Sequence, residues 1–374
     1  MQRKRRSKVQ SREPGEARAG ALVPPLLAWF RQNARDLPWR RTRDPYAVWI
    51  SEIMLQQTQV KTVIPYWTRW MRELPTVQSL ARARPERVLK LWEGLGYYTR
   101  ARNLQQAATV ILAEHSGRFP MTFDEVLALP GIGRYTAGAI CSIAFNQSAS
   151  ILDGNVVRVL TRLFGIGEDP REKDTNARLW ELAEALVREA ARAQRGRARN
   201  CSHLNQALME LGATVCTPRR PKCLACPVQK RCVAWREGRT AELPSPGRRP
   251  ASTERRFVAF IAGKKGRFLV RRRPADVVNA HLWEFPNVEV TDDRADIPRL
   301  ANFLVGPCRV SLTPCFHLKH TITRYRITVD VFRAEVLNDS STRAPGRRWC
   351  SPAGLKKLVF PSAHRKIAER IGGD

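Results

Sequence analysis

Four cysteines fall within seventeen residues, at Cys216, Cys223, Cys226 and Cys232, in the pattern C-x6-C-x2-C-x5-C. Thiolates this close in sequence, with no histidine among them, can hold either one tetrahedral zinc or a cubane iron–sulfur cluster. Structural zinc sites usually arrange their ligands as two short knuckles. Here a single close pair is flanked by two isolated cysteines, which favours [4Fe–4S] over a zinc clip or four unlinked thiols. A second feature points to anions. In Leu129-Pro130-Gly131-Ile132-Gly133-Arg134-Tyr135, two glycines lead from an apolar segment into a new helix. Glycines let the backbone approach a phosphate, the helix start offers free N–H groups, and Arg134 adds charge. By itself a G-x-G turn reads equally well as an ordinary corner between helices.

The charge balance names a partner for such a site. The chain has 65 Lys and Arg against 34 Asp and Glu, a formal charge of +31, and so attracts polyanions. Nucleic acid is the default reading and a membrane surface the competitor. No run of 18 apolar residues and no signal-peptide core follows the basic start Arg3-Lys4-Arg5-Arg6-Ser7-Lys8, so a soluble intracellular protein is expected. Nine cysteines in a chain of 374 residues, four of them in one loop, fit a reducing compartment. Cys141, Cys201, Cys308, Cys315 and Cys350 read as core or surface thiols.

The length suits two domains. Residues 1–20 are basic and aperiodic and read as a disordered arm. From 21 to about 215 the apolar spacing is helical, as in Leu22, Leu26, Leu27 and Phe30 or Leu179, Leu182 and Leu186, so the domain 21–235 is expected to be all-α with the cysteine loop at 216–232. Residues 236–253, rich in Pro, Gly and Arg, read as a linker. Beyond them, runs such as Phe257-Val258-Ala259-Phe260-Ile261 and Tyr325-Arg326-Ile327-Thr328-Val329 alternate like strands, which makes residues 254–374 an α+β domain.

The cysteine run resembles the cluster loop of DNA glycosylases related to endonuclease III. The Gly131–Arg134 turn resembles the helix-hairpin-helix of the same superfamily, and Asp153 follows it in the superfamily's order. Leu37-Pro38-Trp39-Arg40, the segment Trp49-Ile50-Ser51-Glu52 through Gln57-Thr58, Trp92-Glu93-Gly94-Leu95-Gly96-Tyr97-Tyr98 and Asn205-Gln206 through Gly212 narrow the likeness. Together they resemble the adenine DNA glycosylases of the MutY family, whose members remove adenine mispaired with 8-oxoguanine or guanine. The resemblance therefore implies a monomeric base-excision repair enzyme on double-stranded DNA carrying A·8-oxoguanine or A·G, with a [4Fe–4S] cluster. It would be cytoplasmic and nucleoid-associated in a bacterium, nuclear in a eukaryote.

Roles for individual residues follow from that likeness. Glycosidic cleavage needs a protonated leaving group and a stabilised oxocarbenium ion, for which two carboxylates suffice. By similarity Glu52 protonates adenine at N7, helped by apolar neighbours that raise its pKa, and Asp153 stabilises the sugar cation. Taken alone, Glu52 reads as a solvated helix glutamate and Asp153 as an N-cap. Tyr135 and Asn155 fall beside Asp153. Tyr135 also stands where the superfamily's lyase branch has a Schiff-base lysine, so a monofunctional enzyme leaving an abasic site is expected. Arg35, Leu37, Trp39 and Gln206 match the adenine pocket. Gln57 and Tyr97 match residues that wedge into the stack after the base is extruded, with Thr58 and Leu95 close by at the DNA.

In the second domain, Arg271-Arg272-Arg273-Pro274 and Leu282-Trp283-Glu284-Phe285-Pro286 resemble the family's Nudix-like recognition domain. Residues 287–305 lack the acidic metal-binding run of a Nudix hydrolase, so hydrolysis is not expected there. The family reads 8-oxoguanine through a Phe-Ser-His loop. This chain has Leu318-Lys319-His320, or a shifted Phe316-His317, and only the histidine, His320, is kept. Two rivals stay open: a thymine or oxidised-pyrimidine glycosylase, and a DNA-binding protein without activity.

Overall fold

A computed structural model of the chain describes residues 14–245, 247, 251–291, 295–322, 324–337 and 346–371. The described residues form two compact units. One comprises those up to Arg82 with Asn103–Arg248, the other Ala83–Arg102 with those from Arg249 onward. The helices begin α1 (Pro14–Asn33), α2 (Pro45–Leu55), α3 (Val60–Glu73), α4 (Val77–Ala81), α5 (Pro85–Trp92) and α6 (Thr99–Glu114). They continue with α7 (Phe123–Ala128), α8 (Arg134–Ile143), α9 (Gly154–Phe164), α10 (Lys173–Arg192), α11 (Asn200–Thr214) and α12 (Val233–Arg236). Among the described residues of the first unit no strand interrupts them.

Local chemistry sets the ends of the helices that matter. Asp44 caps α2 by accepting the Tyr46 N–H, with Pro45 in the first turn. Gly165 closes α9 in the left-handed conformation at φ 70°. Leu22, Leu26, Leu27 and Phe30 of α1 share a core with Val159 and Leu160 of α9, Leu186 of α10 and Leu208 of α11. Helix α1 begins at Pro14, inside the stretch expected to be a disordered arm. Residues 14–20 are helical because Ala19 is buried and Arg18 is engaged, donating to the carbonyls of Leu163 at 2.7 Å and Arg231 at 3.1 Å. Residues 1–13 lie outside the described residues, as do 246 and 248–250 of the expected linker. Within that linker Leu243 is buried and its carbonyl accepts from Arg162. No helix among the described residues is long and apolar enough to cross a membrane.

The second unit is a mixed sheet of β1 (Thr253–Lys264), β2 (Arg267–Arg272), β3 (Trp283–Glu284), β4 (Asn287–Val290), β5 (Cys308–Val310), β6 (Phe316–Ile322), β7 (Tyr325–Val336) and β8 (Arg347–Cys350). The central pair, β1 and β7, runs parallel, with Phe257 opposite Val329, and the other pairings are antiparallel. Alternation along β1 divides two cores. Ala259 and Ile261 pack with α14 (Pro352–Lys357) and α15 (Ser362–Ile371), while Val258, Phe260 and Ala262 pack with α13 (Ile297–Val305). Buried Glu284 pairs with Arg271 at 2.8 Å and with Arg273, closing the sheet's polar interior.

Candidate active site

Helix α2 is buried from Tyr46 to Met54, and Glu52, only 5% exposed, is the single ionisable carboxylate in that stretch. The Tyr135 hydroxyl on α8 donates to Glu52 Oε2 at 2.7 Å and also meets Met209 Sδ at 3.4 Å. Burial lifts the Glu52 pKa to about 7. The Tyr135 hydrogen bond opposes the rise, the charge of Asp153 adds to it, and Arg40 opposes it. Tyr135 is itself raised well above the ordinary phenol value by burial and by the two carboxylates, so it stays a neutral donor.

Asp153 is the N-cap of α9, its Oδ1 accepting the Val156 N–H at 2.8 Å, while Oδ2 accepts Asn155 Nδ2 at 2.9 Å. The N-cap expected from the sequence is present and fixes one oxygen, and Asp153 also lines the cavity with Glu52. Burial raises its pKa against these donors and the charge of Arg158. Two close backbone approaches set its position. A Cβ on Gly138 would lie 2.0 Å from the Ser150 carbonyl, and one on Gly212 would lie 2.6 Å from Asn155 Cβ.

Glu52, Tyr135, Asp153 and Asn155 line one cavity of about 500 Å³ with Arg35, Trp39, Gln57, Thr58 and Gln206. Gln206 donates to Ser202 at 3.1 Å. Leu37 is buried but does not line the cavity. Gln57 lies exposed at φ 55°, a strained conformation for a residue with a side chain. The sequence reading missed Glu210, which is 1% exposed and takes Arg35 Nε at 2.6 Å and Arg40 Nη2 at 2.9 Å. Burial alone would raise its pKa, but the two guanidiniums prevail and hold it at about 2. Its four-residue spacing from Gln206 on α11, which places both on one helix face, was the available signal.

The hairpin divides its labour. Gly131 needs its positive φ of 75° and presses on Asn103, where a Cβ would lie 2.5 Å away. Gly133 caps α8 in open space. Arg134, expected at the phosphates, pairs at the surface with Glu184 at 2.5 Å and stacks 4.0 Å over Trp180. Leu95 and Tyr97 belong to the second unit, where Leu95 is buried and Tyr97 is 45% exposed. Leu318-Lys319-His320 is the middle of strand β6 rather than a loop. Its alternation turns Lys319 to solvent and Leu318 and His320 inward, where burial and Lys366 lower the His320 pKa. The shifted match, His317, meets Asp330 Oδ1 at 2.5 Å.

All four clustered cysteines line one cavity with Val159, Leu163 and Leu211. Arg162, 2% exposed, closes it, donating to Cys216 Sγ at 3.4 Å and to the carbonyls of Thr217, Pro218 and Leu243 at 2.8, 3.0 and 2.8 Å. Among the described residues no three His, Cys, Asp or Glu side chains converge on a single ion. An all-thiol donor set around an apolar space, with a buried guanidinium beside one sulfur, suits a thiolate-held metal centre. The sequence reading also missed Arg162 and Arg158, whose only signal was arginine within an otherwise buried stretch of α9.

Residues 50–185 match the HhH-GPD superfamily of base excision DNA repair proteins, and residues 257–370 match the NUDIX domain. The chain is 38% identical to the adenine DNA glycosylase of Rattus norvegicus, over 91% of this chain and 76% of that one. It is 36% identical to that of Homo sapiens, over 91% and 72%. It is 37% identical to that of Buchnera aphidicola subsp. Acyrthosiphon pisum, over 92% and 96%. Among solved structures, a thermostable thymine-DNA glycosylase is similar over 60% of this chain and all of that one, at 31% identity and a TM-score of 0.53.

Proposed function

The chain belongs to the adenine DNA glycosylases and is a DNA N-glycosylase of base-excision repair, and on that premise we propose that it hydrolyses adenine from A·8-oxoguanine and A·G pairs and leaves an abasic site. The observation that carries the chemistry is the buried Glu52, with its pKa near 7, hydrogen-bonded to Tyr135 and facing Asp153 in one cavity.

The extruded adenine enters that cavity, bounded by Arg35, Trp39 and Gln206. Protonated Glu52 gives its proton to N7, the C1′–N9 bond breaks, and its electron pair leaves with the base. The sugar cation is balanced by Asp153, which Asn155 and the Val156 N–H hold in place. Water adds at C1′, and its proton restores the Glu52 acid. A Schiff base needs an amine. Among the described residues lining the cavity there is no lysine, and Tyr135 holds its phenol on Glu52, which supports hydrolysis without strand cleavage.

Cys216, Cys223, Cys226 and Cys232 would hold a [4Fe–4S] cluster, which supplies no acid or base but cross-links the loop bearing Arg219, Arg220 and Lys222. Single-turnover assays on duplexes carrying A·8-oxoguanine, A·G, A·C and T·G test the reading. Adenine release from the first two is expected. Release of thymine, or of no base, overturns it.

A further inference from the structure

The adenine cavity is built from the first unit, but Tyr97 is carried by the second, in a turn braced from two directions. Inside the turn, Trp92 Nε1 donates to the Gly96 carbonyl at 3.0 Å, and Arg100 Nη2 donates to the carbonyls of Leu95 and Gly96 at 3.0 and 3.2 Å. The Arg100 guanidinium lies over both rings, 5.1 Å from Trp92 and 5.7 Å from Tyr97. These contacts hold Tyr97 at φ 46°, which a residue with a side chain adopts only when its surroundings impose it.

The other brace comes from the C-terminal residues. Glu93 Oε1 accepts Arg365 Nε at 2.9 Å and the Phe360 N–H at 3.2 Å, and Oε2 accepts Lys90 Nζ at 2.6 Å. Lys90 Nζ also reaches the carbonyls of Lys356 and Leu358 at 2.9 and 3.2 Å, and the Tyr98 hydroxyl donates to the Phe360 carbonyl at 3.2 Å. The Glu93 and Arg365 side chains are 15% and 18% exposed, so the pair is largely withdrawn from water and is costly to break from one side. Tyr97 remains 45% exposed above this rigid base.

We propose that Glu93, Tyr98 and Arg100 are positioning residues that present Tyr97 to the DNA stack, so that the C-terminal unit acts on recognition by fixing the wedge as well as by any base contact of its own. The inference rests on the adenine-glycosylase reading, in which Tyr97 fills the space around the base opposite adenine. Preorganisation explains why a strained, exposed aromatic is held by so many bonds: a mobile turn would have to be ordered at every encounter.

The test is a double-mutant cycle in the full chain. Glu93→Gln and Tyr98→Phe are made singly and together with Tyr97→Ser. Affinity is measured for a duplex with a non-cleavable 2′-fluoro-adenosine opposite 8-oxoguanine, alongside thermal melting. Each single variant should lose about fivefold or more in affinity, as for a lost hydrogen bond; Tyr98→Phe should leave melting little changed, whereas Glu93→Gln also lowers it by leaving Arg365 without its carboxylate. In the Tyr97→Ser background neither should lose more, because the residue they act through is gone. Additive losses, or full affinity in the singles, overturn the inference. Because Glu93→Gln lowers melting, Tyr98→Phe, which removes one oxygen, decides. Adenine release by the unaltered chain is followed in parallel: its absence sinks the functional reading, whereas release with additive losses sinks only this one.

Discussion

Asn155 and Cys216 share one guanidinium: Arg158 donates from Nη2 to Asn155 Oδ1 and from Nε to the Cys216 carbonyl, both at 2.8 Å. The same side chain reaches the carbonyls of Gly212 at 2.8 Å and Gly154 at 3.3 Å. Since Asn155 holds Asp153, this wall of the cavity and the cysteine loop are parts of one hydrogen-bonded structure. Arg158→Met should slow single-turnover adenine release by about 10–100-fold, as for loss of an orienting partner, while duplex binding survives. Arg158→Lys should restore little, because an ammonium cannot span these acceptors as a planar fork does. Unchanged release by Arg158→Met would contradict the coupling.

The Glu52 pKa makes a signed prediction. The group acts as an acid when protonated, so the rate of adenine release should be highest below about pH 7 and fall above it. Stability moves the same way. The folded-state pKa lies above the unfolded value of 4.5, so between these values the folded chain binds more protons and loses stability as pH rises. The loss levels off above pH 7 at an order of 3 kcal/mol. Glu52→Gln should abolish release and unfold at higher denaturant than the parent at pH 8, with the difference shrinking near pH 4.5. Equal midpoints at both pH values would contradict the assigned burial cost.

Borohydride during turnover should trap little enzyme on DNA, because the pocket presents a phenol at Tyr135 where an amine would be needed. Tyr135→Lys should gain trapping while losing the Glu52 hydrogen bond and most adenine release. Efficient trapping of the unaltered chain would place it with the lyases.

Anaerobic preparations should contain about four irons per chain and show broad visible charge-transfer absorption. Arg162→Met should lower iron content, since it removes the buried charge beside Cys216 and leaves three carbonyls without a donor. Stoichiometric zinc without iron would exclude the cluster.

On strand β6 the exposed Lys319 and the inward His320 should separate by assay. Lys319→Ser should weaken binding to A·8-oxoguanine and A·G duplexes alike and reduce the salt slope by about 1. His320→Ala should narrow the preference between them without changing the maximal rate. A preference unaltered in both would leave β6 outside opposite-base discrimination.

The sequence by itself determined what local spacing encodes. Cysteine spacing marked one thiol-lined cavity, helical periodicity marked α1 and α10, and β-branched runs marked β1 and β7. The apolar flanks of Glu52 anticipated its raised pKa, and the Gly131 turn was legible because a left-handed φ pressed against a neighbouring helix calls for glycine. Tertiary structure decided what depends on segments far apart in the chain. Glu210 meets Arg35 across 175 residues, Arg162 meets Leu243 across 81, and Glu93 meets Arg365 across 272. Such pairs have no period and no motif, because an arginine or glutamate reads as a solvated charge until packing removes its water and leaves one partner in reach. For the same reason the turn around Tyr97, whose sequence belongs to the helical domain, takes its place from the C-terminal unit, where desolvated hydrogen bonds fix it.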